Sequence, residues 1–122
     1  IEHGYDDALM INHKGFISEA TGSCIFFLKD GALFTPSLDC DILPSITRYR
    51  IISLCKKNRI KVIEGRYKPG DLIRSDAAFL CGSMIEIMPI SNIDNMKFDT
   101  SNSSMFRNIV KLYKKSLILE NI

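Results

Sequence analysis

Apolar and polar positions fall into short blocks whose period changes along the chain. Ala8-Leu9-Met10-Ile11 is a brief apolar run closed by Asn12-His13-Lys14-Gly15, a turn composition. Cys24-Ile25-Phe26-Phe27-Leu28 follows, then Lys29-Asp30-Gly31, then Ala32-Leu33-Phe34-Thr35. Two apolar runs around an Asp-Gly pair predict a β-hairpin. The stretch 36–44 reads as a loop, with Pro36 and Pro44 at its ends and Asp39 and Asp41 inside. From Ile46 to Asn58 the period becomes helical. Ile51, Leu54 and Cys55 share a face that Ile52 widens, and Arg48, Arg50, Lys56 and Lys57 are expected to lie mostly elsewhere.

Beyond this helix, Ile60-Lys61-Val62-Ile63-Glu64 alternates like a strand, and Pro69 to Ser75 predicts a short helix with Pro early and Asp71 in its first turn. Ala77-Ala78-Phe79-Leu80-Cys81 reads as a buried strand ending at Gly82-Ser83. Ile85 to Ile90 is the next strand, and Pro89 pushes it toward an edge or an end. Residues 92–104 are polar and turn-rich. The last helix sets Phe106, Ile109, Val110, Tyr113 and Leu117 on one face and Arg107, Lys111, Lys114 and Lys115 opposite, the pattern of a packed terminal helix with a solvated side. Strands alternating with helices after an early hairpin predict a mixed α/β domain.

The 122 residues suffice for one domain with a core, and we read 1–122 as a single domain. Hydrophobic residues at 46% and charged residues at 25% are the balance of a globular domain. Sixteen Lys and Arg against fourteen Asp and Glu leave +2, too little to predict a nucleic-acid partner. No apolar run reaches the roughly 18 residues of a membrane span. The opening Ile-Glu-His-Gly-Tyr-Asp-Asp lacks the build of a signal peptide and an initiator Met, so the chain is expected to be a piece of a longer protein. Cys24, Cys40, Cys55 and Cys81 show no zinc-ligand spacing with His3 and His13. They are expected to be free thiols in a cytoplasmic protein.

Three places could carry chemistry. Glu19, between Phe16-Ile17 and the Cys-Ile-Phe-Phe run, is either a partly desolvated carboxylate in need of a partner or a turn carboxylate in water. Leu43-Pro44-Ser45-Ile46-Thr47-Arg48 opens the first long helix, whose N-terminus is either a simple Ser or Thr cap or an anion site built from exposed amides. Gly82-Ser83 ends a strand where backbone can approach a ligand closely. Together they suggest one phosphorylated ligand held at two backbone sites, with a carboxylate reading another part of it.

The order of Gly4-Tyr5-Asp6-Asp7-Ala8-Leu9-Met10, Gly15-Phe16-Ile17-Ser18-Glu19-Ala20-Thr21-Gly22, Ile25-Phe26-Phe27, Lys29-Asp30-Gly31, Leu33-Phe34-Thr35-Pro36, Leu43-Pro44-Ser45-Ile46-Thr47-Arg48 and Gly82-Ser83-Met84-Ile85-Glu86-Ile87-Met88-Pro89 resembles the class IV aminotransferases. That family includes branched-chain aminotransferases, D-amino acid aminotransferases and 4-amino-4-deoxychorismate lyases. The resemblance implies the C-terminal domain of a D-amino acid aminotransferase-like, fold type IV enzyme: a mixed-strand pseudo-barrel with flanking helices that cradles pyridoxal 5′-phosphate. It implies that Glu19 pairs with the pyridine nitrogen, that Leu43 packs on the ring, and that Ser45, Ile46 and Thr47 hold the 5′-phosphate at the helix start. Gly82 and Ser83 match the second phosphate site, and the Ser83 and Met84 amides would face the substrate carboxylate.

The chain departs from the family at several points. Ser45 stands where Gly is usual, Ala20 replaces a Gly, Ser23-Cys24 replaces a Glu-Asn pair, and Met84-Ile85 replaces small residues. The family's Schiff-base lysine lies upstream of the Gly4–Met10 block, so no catalytic lysine is expected here and this chain alone is expected not to transaminate. For the intact protein the resemblance implies branched-chain amino acid transamination with 2-oxoglutarate, in a homodimer acting on amino acids and 2-oxo acids. A lyase or D-amino acid aminotransferase of the same family, and a non-catalytic binding module, are the alternatives.

Overall fold

The computed structural model describes residues 9–20, 23–42, 45–82, 85–93 and 96–120. Its centre is a five-stranded mixed sheet in the order β5-β4-β3-β6-β7. β3 (Cys24–Lys29) and β4 (Ala32–Pro36) form the expected hairpin, and its tip places Asp30 at φ 51° and Gly31 at φ 77°. Positive φ at both central residues is what a right-twisted two-residue turn requires, which is why the Asp-Gly pair works there. β5 (Lys61–Gly65) returns parallel to β4 after the helical crossover, so Glu64 lies beside Thr35. β6 (Ala77–Gly82), buried along its whole length, runs antiparallel to β3. β7 (Glu86–Pro89) is the edge strand that Pro89 predicts, since proline cannot donate to a further ladder.

The sheet separates two apolar layers. One face contributes Cys24, Phe26, Leu28, Leu33, Phe79 and Cys81, packed beneath α1 (Ile46–Lys57) and α3 (Ser104–Glu120). Phe26 and Phe79 stack with centroids 5.1 Å apart, and Phe106 of α3 closes on Phe79 at 5.4 Å. The other face contributes Ile25, Phe27, Ala78 and Leu80, packed against Ile17 and Ala20 of a two-stranded ribbon and Leu72 of α2 (Pro69–Ile73). That ribbon pairs β1 (Leu9–Ile11) with β2 (Ile17–Ala20), and folded over the sheet it forms the second wall of the pseudo-barrel. β2 was not expected from the sequence. It places Glu19 on a strand, half-buried, and so removes the solvated-turn alternative.

Elsewhere the polar loops carry small elements of their own. A 3-10 turn occupies Leu38–Cys40, a hairpin pairs β8 (Asn92–Ile93) with β9 (Met96–Lys97), and a second 3-10 turn at Thr100–Asn102 leads into α3. Thr100 locks this segment to the sheet: its hydroxyl donates to the Ile90 carbonyl at 2.8 Å and accepts the Ala78 amide at 3.1 Å. The expectation for Arg48 needs correction. Arg48 is not on the solvated side of α1 but is 6% exposed, because its helix position points down between β4 and β5 rather than outward. Among the described residues no helix is long and apolar enough to cross a membrane.

Candidate functional site

Ser45 precedes α1 with extended backbone, and its Oγ accepts the Arg48 amide at 3.0 Å. This is a helix cap, and it satisfies only one of the orphan amides at the start of the helix. Among the described residues, the Ile46 and Thr47 N–H groups have no acceptor. Ile46 is 80% exposed and Thr47 is buried, so one side of this amide pair is open to a ligand and the other is backed by protein. A twelve-residue helix adds the positive end of its dipole at that point. Cap and anion site are therefore compatible here: the serine caps, and the amides beside it have no acceptor among the described residues.

Near this turn, Cys24 gathers the separate sequence candidates into one place. It opens β3 and sits directly across from Cys81, the residue before Gly82 at the end of β6. Its thiol is within electrostatic reach of the Cys81 thiol, the Ser45 hydroxyl, and the Arg48 and Glu19 charges. The Cys81 thiol lowers the Cys24 pKa most. Burial opposes that shift, the Arg48 charge assists it, the Glu19 carboxylate opposes it, and the Ser45 hydroxyl assists. The Cys81 thiol is pushed up by Cys24 and by burial.

Glu19, the Ser45-Ile46-Thr47 turn and the Gly82 strand end thus converge, although 26 positions separate Glu19 from Ser45 and 37 separate Ser45 from Gly82 in the numbering. Glu19 and Gly82 come from β2 and β6, which the second core layer holds together through Ile17, Ala20, Ala78 and Leu80. Leu43, Ser83 and Met84, the remaining expected ligand contacts, lie outside the described residues.

Arg48 escaped the sequence reading. Its Nη2 donates to the Pro36 carbonyl at 3.1 Å and to the Glu64 carboxylate at 2.6 Å, and its buried Nε has no partner. It ties the third residue of α1 to the ends of β4 and β5, and so sets where the amide turn points. Its position in Ser45-Ile46-Thr47-Arg48 was visible, but not its burial, because β5 arrives from 16 residues downstream. Two shallow cavities are also present, one of 240 Å³ between β7 and α3, lined by the Glu86 and Ile87 that pair with Gly82 and Cys81, and one of 150 Å³ beside Tyr67.

Comparison with known proteins gives the family and the fold. The family described as amino-transferase class IV matches residues 1–93. A probable branched-chain-amino-acid aminotransferase of Aquifex aeolicus is 39% identical over 95 residues, covering 77% of this chain and 30% of the relative. The branched-chain-amino-acid aminotransferase of Escherichia coli K12 is 38% identical over 95 residues, covering 78% of this chain and 31% of the relative. The chain therefore spans a little under a third of these relatives. Among solved structures, a branched-chain amino acid aminotransferase from Thermobaculum terrenum in its PLP form superposes with a TM-score of 0.89 at 36% identity, over 94% of this chain and 38% of that one. A putative 4-amino-4-deoxychorismate lyase from Legionella pneumophila gives 0.88 at 31% identity, over 92% and 41%. The fold is that of the fold type IV aminotransferases, and the chain belongs to the class IV aminotransferase family.

Proposed function

We propose that the protein carrying this chain is a PLP-dependent aminotransferase of branched-chain amino acids with 2-oxoglutarate as amino acceptor, and that residues 1–122 supply its cofactor cradle. The observation that carries this reading is the convergence of the Ile46 and Thr47 amides, the Glu19 carboxylate and the Gly82 strand end around Cys24. The residues suit pyridoxal phosphate. Two amides at a helix start, without an acceptor among the described residues, match a phosphate dianion, and a half-buried carboxylate suits a protonated pyridine nitrogen.

In this reading Ile46 and Thr47 donate to the phosphate, Ser45 orders the turn, and Leu43 packs on the ring. Gly82 and Ser83 hold the phosphate from the second side, and Ser83 with Met84 receives the substrate carboxylate. Glu19 holds the proton at the pyridine nitrogen. Bound pyridoxal phosphate supplies an electron-withdrawing ring, which is the chemistry side chains lack.

The 122 residues alone are proposed not to transaminate. Lys29 is tied to the Arg74 carbonyl at 2.6 Å, and Lys56 and Lys57 stand in the last turn of α1, away from the amide turn. The intact protein is proposed to be a cytoplasmic homodimer.

A pyridoxal phosphate titration of the purified intact protein that carries this chain, followed by absorbance and then by assay with leucine, isoleucine and valine, tests the proposal. A saturable spectral shift and amino transfer to 2-oxoglutarate are expected, with Glu19→Gln lowering turnover more than phosphate affinity. A protein that shows no such shift, or binds the cofactor and transfers no amino group, contradicts it. The likeness to the Legionella protein, together with the Leu38–Pro44 loop, favours the lyase as the second reading. Release of 4-aminobenzoate would select it.

A further inference from the structure

Two of the chain's departures from its family's usual residues lie close together: the Ser45 hydroxyl is within electrostatic reach of the Cys24 thiol. Cys24 is in turn the direct cross-strand partner of Cys81. The backbone pattern fixes which kind of pair this is. Ala78 gives its amide to Thr100 and its carbonyl accepts the Ile90 amide, so its backbone groups turn away from β3. With the alternation of a strand, Leu80 turns away likewise, while Phe79 and Cys81 face β3. Ile25 points its carbonyl at the Thr35 hydroxyl on the β4 side, which leaves Cys24 facing β6. Cys24 and Cys81 are therefore a hydrogen-bonded antiparallel pair, whose Cα atoms stand about 5.5 Å apart. Native disulfides span about 4.4–6.8 Å between Cα atoms.

Both thiols are on the same face of the sheet, are reduced, and belong to residues paired directly across the β3–β6 ladder. Joining them requires rotation of two side chains and no shift of strand register. The pair also lies at the sheet's end, where β3 begins and β6 finishes, with Cys24 in reach of Ser45, the residue ahead of the Ile46 and Thr47 amides.

We propose that Cys24 and Cys81 form a reversible disulfide near the phosphate-binding turn, made by a peroxide or a small-molecule disulfide when the turn is empty. With hydrogen peroxide, the Cys24 thiolate attacks one oxygen, the O–O bond breaks, and water leaves after taking up a proton. Cys24 is then a sulfenic acid. The Cys81 sulfur attacks it, forming the S–S bond, and the hydroxyl departs as a second water. Two thiols and one peroxide give one disulfide and two waters; each sulfur loses one electron and the peroxide gains two. A small disulfide does the same through a mixed disulfide and releases two small thiols. Cys24 is the attacking sulfur because Cys81 and the Arg48 charge nearby both favour its thiolate.

Once bonded to Cys81, the Cys24 sulfur no longer offers a thiol to the Ser45 hydroxyl, and the residue ahead of the two amides loses that neighbour in β3. Linkage then requires that phosphate binding oppose oxidation by the same factor as oxidation weakens phosphate binding. This coupling rests on the cofactor reading, whereas the disulfide itself does not.

The test treats the purified protein with hydrogen peroxide or oxidised glutathione, with and without saturating inorganic phosphate or pyridoxal phosphate, and maps peptides by mass spectrometry. A Cys24–Cys81 peptide pair is expected, removed by dithiothreitol, absent from Cys24→Ser and from Cys81→Ser, and slowed by phosphate. Phosphate affinity of the oxidised protein should fall about fivefold or more. If Cys81→Ser does not fold, the wild-type peptide map and Cys24→Ser suffice. A protein that stays fully reduced, or that links either cysteine to Cys40 or Cys55 instead, overturns the proposal. So does linkage at an unchanged rate under saturating phosphate in a protein shown to bind it. A protein that binds pyridoxal phosphate without forming the link refutes this inference alone; one that forms the link but binds no cofactor refutes the cofactor reading alone.

Discussion

The Arg48 guanidinium donates to the Glu64 carboxylate at 2.6 Å, and the two ends of this bond differ sharply in solvation: the side chains are 7% and 37% exposed. Their removal should therefore be asymmetric. Glu64→Ala strands a buried positive charge with one carbonyl and an unpartnered Nε, whereas Arg48→Met leaves a carboxylate that reaches water. We expect Glu64→Ala to cost roughly 1.5–3 kcal/mol, the range for a hydrogen bond to a charged group, and Arg48→Met to cost less. Urea unfolding midpoints of the two variants check the order. A larger loss for Arg48→Met would show that packing of its aliphatic stem outweighs the charge.

Ser45 caps α1 through the Arg48 amide. Ser45→Ala should lose about 1 kcal/mol and Ser45→Gly only a few tenths, because the glycine backbone suits the cap position and exposes its amides to water. Thermal unfolding of both variants measures this. If Gly is as costly as Ala, the Cys24 contact matters more to the serine than the cap does.

Thr100 joins the Ala78 amide to the Ile90 carbonyl across the β6–β7 side of the sheet. Thr100, itself 1% exposed, is the partner of both groups, so Thr100→Val keeps the shape but leaves the Ala78 N–H and the Ile90 carbonyl without it. About 1–3 kcal/mol is expected, with faster hydrogen exchange at Ala78. Thr100→Ser should recover most of the protection.

Burial pushes the Cys55 thiol up to about 11. An unfolded cysteine ionises near pH ~8.5, so the folded state holds this proton more tightly. The stabilisation is complete below the unfolded value and is lost as pH rises through the folded one. Between about pH 8.5 and 11, wild type should lose stability more steeply than Cys55→Ala. Chemical denaturation across that range checks the slope, and equal slopes would refute the assignment to Cys55.

Local chemistry in the sequence was enough for the elements whose signals are short-range. The Asp30-Gly31 turn, the α1 period with its Ser45 cap, the edge placement of β7 by Pro89, and the apolar face of α3 all depend on neighbours a few residues apart. The family blocks added the cradle residues, each attached to its own element. What no local pattern contains is which faces meet. β2 is four residues long and was hidden, because its burial comes from β3 and β6 rather than from its own alternation. Arg48 looks like any helix-surface arginine until β5 folds back parallel to β4 and brings Glu64 to it.

Glu19, Ser45 and Gly82 were legible as candidates one at a time. Their convergence on Cys24, and the opposition of Cys24 to Cys81, follow from the β3–β6 register. Register depends on the summed burial of both strands against two core layers, and a one-residue slip would turn each side chain to the other face. Residue chemistry and spacing therefore determined the elements and the family, and long-range packing alone decided the geometry that makes them one site.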